Sequence, residues 1–96
     1  MNKVFDALAD PHRRKILELL QEKDRCVSDL LEHFSFRQAS LSHHLKTLKD
    51  ANLVTTQRRW QYIYYSLNKE IVLDTIKTLS KLLWIKEDES WEDSTK

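Results

Sequence analysis

Apolar residues recur at helical spacing along most of the chain, and the period switches to two only once. Ile16, Leu19, Leu20 and Lys23 share a face, which predicts a helix of about three turns from Pro11 to roughly Lys23. Asp10-Pro11 marks its start: the carboxylate can accept from exposed amides, and proline in the first helical position lacks only an N–H that would have no partner. Before it, Val4, Phe5 and Leu8 predict a short amphipathic helix that needs a neighbour for stability. After the charged break Glu22 to Arg25, apolar residues at Val27, Leu30, Leu31 and Phe34 give the i, i+3, i+4, i+7 signature of another short helix, with Ser35 to Arg37 as the turn. A further helix from about Gln38 to Asp50 puts Leu41, His44, Leu45 and Leu48 on one face. Gln38, Ala39, Ser42, His43 and Lys46 fall on the opposite arc.

From Leu53 the residues become β-branched and aromatic, in Leu53-Val54-Thr55-Thr56 and Tyr62-Ile63-Tyr64-Tyr65. This predicts a two-stranded β-hairpin with Ile63, Tyr65 and Leu67 toward the core and Tyr62, Tyr64 and Ser66 on the other side. Asn68 then caps a last helix whose stripe of Val72, Ile76, Leu79 and Leu83 is widened by Leu73, Leu82 and Trp84. So much apolar surface on a terminal helix calls for a partner.

Composition narrows the functions. Ninety-six residues suffice for one core, so residues 1–86 form a single domain and 87–96 an acidic, frayed tail. With no glycine and one proline, the chain cannot build a Gly-rich phosphate loop or a Gly-dependent nucleophile elbow. Sixteen basic against fifteen acidic residues leave a net charge of +1, but the charges are segregated. Between Arg37 and Leu67, Arg37, Lys46, Lys49, Arg58 and Arg59 face the single acid Asp50, whereas Glu87, Asp88, Glu89, Glu92 and Asp93 stand without a base. The lone Cys26 excludes an internal disulfide, and no segment has the length or hydropathy of a signal peptide or a membrane span. A cytoplasmic protein without membrane contact is the expectation.

Two short helices joined by a turn and followed by a basic hairpin predict a mainly α winged helix-turn-helix, in the order α-α-α-α-β-β-α. Three stretches carry a family resemblance: Ala9-Asp10-Pro11-His12-Arg13-Arg14-Lys15-Ile16-Leu17, Leu41-Ser42-His43-His44-Leu45-Lys46-Thr47-Leu48 and Tyr62-Ile63-Tyr64-Tyr65-Ser66-Leu67. In order and spacing the chain resembles the ArsR-type winged-helix transcriptional repressors over residues 3 to 84, and within them the SdpR-like autorepressors. The resemblance implies a homodimer on a palindromic double-stranded DNA operator, repressing its own operon. Family sensors of arsenic and lead carry a Cys-Val-Cys core where this chain has Cys26-Val27-Ser28, and the family's other sensor site uses Asp and His on a terminal helix that here offers only Asp74. The resemblance, with these departures, implies no metal site and no cofactor.

The DNA-binding set expected from these elements is Arg37 at the end of the turn, Gln38, Ser40, Ser42, His43 and Lys46 on the second helix of the motif, and Arg58, Arg59 and Gln61 on the hairpin. Gln38 can pair with adenine through its amide, or can be a solvated capping residue. His43 can reach a phosphate or base edge, while His44 reads as a packed, hydrogen-bonded interior residue. Ser40 and Ser42 suit phosphate or inert surface equally. Arg58 and Arg59 can contact phosphate or minor groove, can keep an exposed edge soluble, or can do both at once. Relatives usually have glycine where this chain has Trp60, which packs either on the duplex sugar edge or on the domain. Val4, Phe5, Leu8, Val72, Ile76, Leu79 and Leu83 are the expected dimer interface. Two other readings are a repressor responding to Cys26 oxidation or to a ligand at the dimer interface, and a protein-interaction module without specific DNA binding. No acid, base and nucleophile converge, so no enzyme is expected.

Overall fold

The computed structural model describes residues 1–84, so the expectations for the stretch 87–96 fall outside the described residues. Five helices and a small sheet follow in the order α1 (Asn2–Leu8), α2 (Pro11–Glu22), β1 (Arg25–Cys26), α3 (Val27–Leu31), α4 (Gln38–Asp50), β2 (Val54–Arg59), β3 (Tyr62–Leu67) and α5 (Lys69–Leu83). Asp10 caps α2 as expected, its side chain accepting from the Arg13 N–H at 3.1 Å, with Pro11 in the first turn. Lys23 does not share the apolar face: it is the C-cap, in extended backbone and exposed.

The core gathers one face of each of the first four helices. Val4 and Ala7 of α1, Ile16, Leu19 and Leu20 of α2, Leu30 of α3 and Leu41, Leu45 and Leu48 of α4 are buried together with Ala51, Leu53 and Val54. Tyr65 and Leu67 pack against this cluster from the sheet. Ile63, expected to face inward, is instead exposed. It pairs with Arg58 in the outer half of the hairpin and lines an open cleft with Val27 and Leu31 of α3, which leaves it uncovered.

The hairpin is there with its register fixed from Val54↔Leu67 to Arg59↔Tyr62, and it acquires a third strand. β1 pairs antiparallel with β3 through Arg25↔Tyr65 and Cys26↔Tyr64, giving the order β1-β3-β2. Two residues cannot display an alternation, so the sequence pattern has nothing to read there. The turn of the motif is also longer than expected. α3 stops at Leu31 because His33 and Phe34 donate to the carbonyls of Leu30 and Leu31, three residues back, which tightens and ends the helix. Six residues, 32–37, therefore separate α3 from α4.

Arg25, which the pattern places in a charged break, is buried. Its guanidinium donates to Leu19 O at 2.9 Å, Glu22 Oε1 at 2.6 Å and Asp29 Oδ2 at 3.2 Å. Leu19 lies in the last turn of α2, where carbonyls have no partner within the helix, so Arg25 closes that end and ties it to α3.

Helix α4 ends in a Schellman arrangement. Leu53 N–H donates to Leu48 O at 3.0 Å and Asn52 N–H to Lys49 O at 2.9 Å, with Asn52 at φ 61°. Leu48 and Leu53 are both buried beneath it. Asparagine tolerates this left-handed backbone better than most residues, so it takes the place glycine commonly holds. Asn68 does stand at the N-cap of α5, but its side chain makes no capping bond; its N–H instead donates to Leu53 O at 2.9 Å.

Candidate nucleic-acid interface

Helix α4 presents Gln38, Ser40, Ser42, His43 and Lys46 to solvent, all exposed, on the side opposite buried Leu41, Leu45 and Leu48. Arg37 is the exposed N-cap residue; its carbonyl accepts from Ser40 and Leu41, and no side chain caps the helix start. The leading amides of α4 are thus open to an anion. The face holds one compensated charge: Lys46 Nζ lies 3.0 Å from Asp50 Oδ2, one turn on. Lys49, absent from the DNA-binding set expected from sequence, is exposed at the same end and lines a shallow cleft with Lys46, Asn52, Thr55 and Thr56. Its signal lies in the basic excess of residues 37–67.

Three aromatic and imidazole contacts hold α4 in place. Phe34 and Phe36 stack at 4.7 Å between centroids, His12 meets Phe36 edge-on at 5.1 Å, and the His44 ring lies 5.6 Å from Phe36. His44 is the hydrogen-bonded interior residue expected: Arg13 Nη1 lies 3.3 Å from its Nδ1, while Arg13 Nε donates to Ala7 O at 2.8 Å. Arg13 is donor-only, so Nδ1 accepts and the ring is neutral. Burial depresses its pKa in the same direction, against the pull of Asp10. His43, one residue away, is exposed, its ring tilted against that of His44 at 6.0 Å between centroids.

Asp10, His12 and His44 bring three potential metal donors within 4.8 Å of one another, which adjacent-residue spacing cannot reveal because 32 positions separate the two histidines. The Arg13 guanidinium faces the same donor atom of His44, and a fixed positive charge there opposes a cation. The cluster is a hydrogen-bonded joint between the start of α2 and the middle of α4.

On the hairpin, the two arginines are placed differently. Arg58 is exposed and its Nε donates to Trp60 O at 3.2 Å. Arg59 is engaged on its own domain: Nη2 lies 2.6 Å from Asp24 Oδ2, and the guanidinium carbon sits 4.7 Å over the Tyr64 ring. The Ser66 hydroxyl and Arg59 hold the Asp24 carboxyl below its ordinary pKa. Gln61 and Gln38 line one cleft with Cys26, Ser28, Tyr62 and Ile63, so the hairpin tip region and the start of α4 share a concave surface.

Trp60 occupies the first position of a two-residue turn with φ 60°, and its side chain is 82% exposed. Left-handed backbone costs a non-glycine residue on the order of 1–2 kcal/mol, and a bulky side chain there is a marked exception. Cys26 is half-buried at the N-cap of α3. Its Sγ lies 3.3 Å from Ser28 Oγ, and that hydrogen bond is the chief cause of a lowered thiol pKa.

The surface expected to join two copies is partly free. Ile76 and Leu83 are exposed together with Leu73, Leu82 and Trp84, and of the fifteen residues of α5 only Thr75 is buried. Leu8, Val72 and Leu79 are half-buried along a groove between α2 and α5, and Phe5 is half-buried on α1. Val4 is the correction: at 6% exposure it belongs to the protomer's own core. Among the described residues, no helix is long and apolar enough to cross a membrane.

The model of the bacterial regulatory protein family arsR matches residues 10–56. The chain is 49% identical over 76 residues to the transcriptional repressor SdpR of Bacillus subtilis (strain 168), spanning 79% of this chain and 84% of that protein. It is 42% identical over 80 residues to the arsenical resistance operon repressor of Staphylococcus aureus, spanning 83% and 77%. The ArsR-like transcriptional regulator from Rhodococcus sp. RHA1 superimposes with a TM-score of 0.78 at 27% identity, over 84% of this chain and 74% of that one. The exposed polar face of α4, the basic hairpin beside it and these likenesses lead to one conclusion: the chain belongs to the arsR family of bacterial regulatory proteins and has their winged helix-turn-helix fold.

Proposed function

We propose that this chain is a cytoplasmic, DNA-binding transcriptional repressor that acts as a homodimer on a palindromic operator, controls its own operon and requires no metal or cofactor. The observation that carries the reading is the outward face of α4, which combines short hydroxyl, amide and imidazole donors with Lys46 and Lys49 and stands on a fully buried opposite face. A helix so mounted can lie in the major groove, with the hairpin reaching the flanking backbone.

Phosphate contacts from Arg37, Lys46, Lys49 and Arg58 supply most of the affinity, and Gln38, Ser42 and His43 supply selectivity through base edges. Ser40 and Gln61 lie at the margins of the contact. Arg59 contributes through its ion pair, setting the pitch of the hairpin, more than through direct contact. Two copies joined along α5 and α1 place their α4 helices for half-sites about one helical turn apart, and occupancy alone blocks transcription.

The test is a gel shift against the region upstream of the chain's own gene, with wild type, Lys46→Glu and Arg58→Glu. Both variants should stay folded, because each side chain is exposed, and should lose binding. A folded, dimeric Lys46→Glu protein that bound normally would refute the placement of α4.

A further inference from the structure

We propose that Trp60 is a DNA-wedging residue: its indole enters the minor groove beside the half-site and packs on sugar and base edges. The inference rests on the DNA-binding reading above and adds a residue and a mode of contact to it.

Two residues among those described have positive φ, Asn52 at 61° and Trp60 at 60°. At Asn52, where only helix termination is at stake, the chain uses a residue suited to that backbone. At Trp60 it places the residue type with the largest side chain in the first position of a two-residue hairpin turn, a position that favours glycine. Within the protomer the return is small: one tilted aromatic neighbour and a bond from Arg58 to the Trp60 carbonyl, with little of the indole covered. The indole is 82% exposed, the most exposed of the large apolar side chains described, and its nearest aromatic neighbour is the tilted Tyr62 ring at 6.3 Å. Strain held for so small a packing return is an observation that points to an external contact.

The position says which contact. The other large apolar residues more than half exposed lie on α5 or, as Trp84, at its C-cap, whereas Trp60 stands at the opposite end of the hairpin from Val54 and Leu67, which adjoin the core. Five steps of strand place the turn about 17 Å from that base, a reach suited to the minor groove next to a helix in the major groove. Arg58 is exposed beside it, and its Nε bond to the Trp60 carbonyl orients the turn. A flat apolar ring next to a cation is the chemistry that minor-groove wedges use, and the same pairing serves poorly for a freely solvated tip.

The test uses the full chain and a duplex selected by the wild-type protein from a random-sequence pool. Trp60→Gly should hold the thermal midpoint or raise it by up to about 4 °C, because the turn relaxes. It should also weaken binding by about tenfold at fixed salt. Because indole is uncharged, the slope of log affinity against log salt should stay that of wild type, while Arg58→Ala should shallow it by about one. Affinity reduced by less than threefold would overturn the proposal, including the case in which the tip docks a protein. A midpoint lowered by more than about 5 °C would also overturn it, since the indole would then be packed on the domain. Failure of the wild type to select any duplex would instead refute the DNA-binding reading itself, a result visible before any variant is made.

Discussion

Replacing Arg25 by methionine keeps an unbranched stem of similar reach and removes the guanidinium, so it isolates the polar network at the end of α2. Four interactions are lost, the longest being the 3.5 Å contact of Nη1 with His33 Nε2, and they are unequal. Glu22 is 67% exposed and returns to water when its partner goes, so that ion pair contributes at most about 1 kcal/mol. Asp29, at 32% exposed, recovers much of its hydration as well. Leu19 O cannot: it belongs to a buried residue, and leaving such a carbonyl without a donor costs about 1–3 kcal/mol. Together the substitution should cost about 2–4 kcal/mol. Arg25→Lys, which keeps the charge and loses the fork, should fall between, and Glu22→Gln should cost under about 1 kcal/mol. Urea unfolding followed by circular dichroism at one fixed chain concentration measures all three, the concentration being held because association couples to stability. A loss below about 1 kcal/mol for Arg25→Met, or equal losses for Arg25→Met and Glu22→Gln, would refute the claim that closing the helix end stabilises the fold more than the ion pairs do.

Two further predictions concern association and pH. Ile76→Glu combined with Leu83→Glu puts charges on the exposed stripe of α5 without touching the core, and should yield a folded monomer by sedimentation with operator affinity reduced at least a hundredfold; an intact dimer would remove α5 from the interface. Asp24 has a folded-state pKa below its unfolded value, so its bonds from Ser66 and Arg59 stabilise the fold above the ordinary carboxylate value of about 3.9. That stability is lost as pH falls through the lowered folded-state pKa. Wild type should therefore be more stable than Asp24→Asn at about pH 6, the two converging as pH falls from the ordinary value of about 3.9 through the lowered folded-state pKa, and urea midpoints that differ by a constant amount across this range would contradict it.

The parts of this protein legible in sequence are those built from residues close together in the chain. The start of α2 is readable because capping and the proline preference act over three or four positions, and both ends of α4 agree with the expected Gln38 to Asp50 because its apolar period runs unbroken between them. What escapes depends on distance. Arg25 looks like one more charge in a polar break until Leu19, Glu22 and Asp29 are folded around it. The joint of His12, Phe36 and His44 unites three separate segments, and the engagement of Arg59 by Asp24 spans 35 positions. Ile63 shows the complementary failure: it is two positions from Tyr65 and so on the same side of the strand, but it borders an open cleft instead of closed core. Val4 carries an apolar signal that cannot say whether the surface it meets belongs to the same copy or another.

The short link between α4 and β2 has a mechanical consequence. Ala51 to Leu53 are locked by the Schellman bonds, by burial of Leu53 and by the Asn68 bond to the Leu53 carbonyl, which anchors the far end of β3 to the same point. Reading helix and hairpin are therefore one stiff caliper jaw and cannot be adjusted against each other without breaking the core. In the dimer proposed above, a releasing signal could then change the gap between the two jaws through α5, a helix that buries only Thr75 of its fifteen residues in its own protomer.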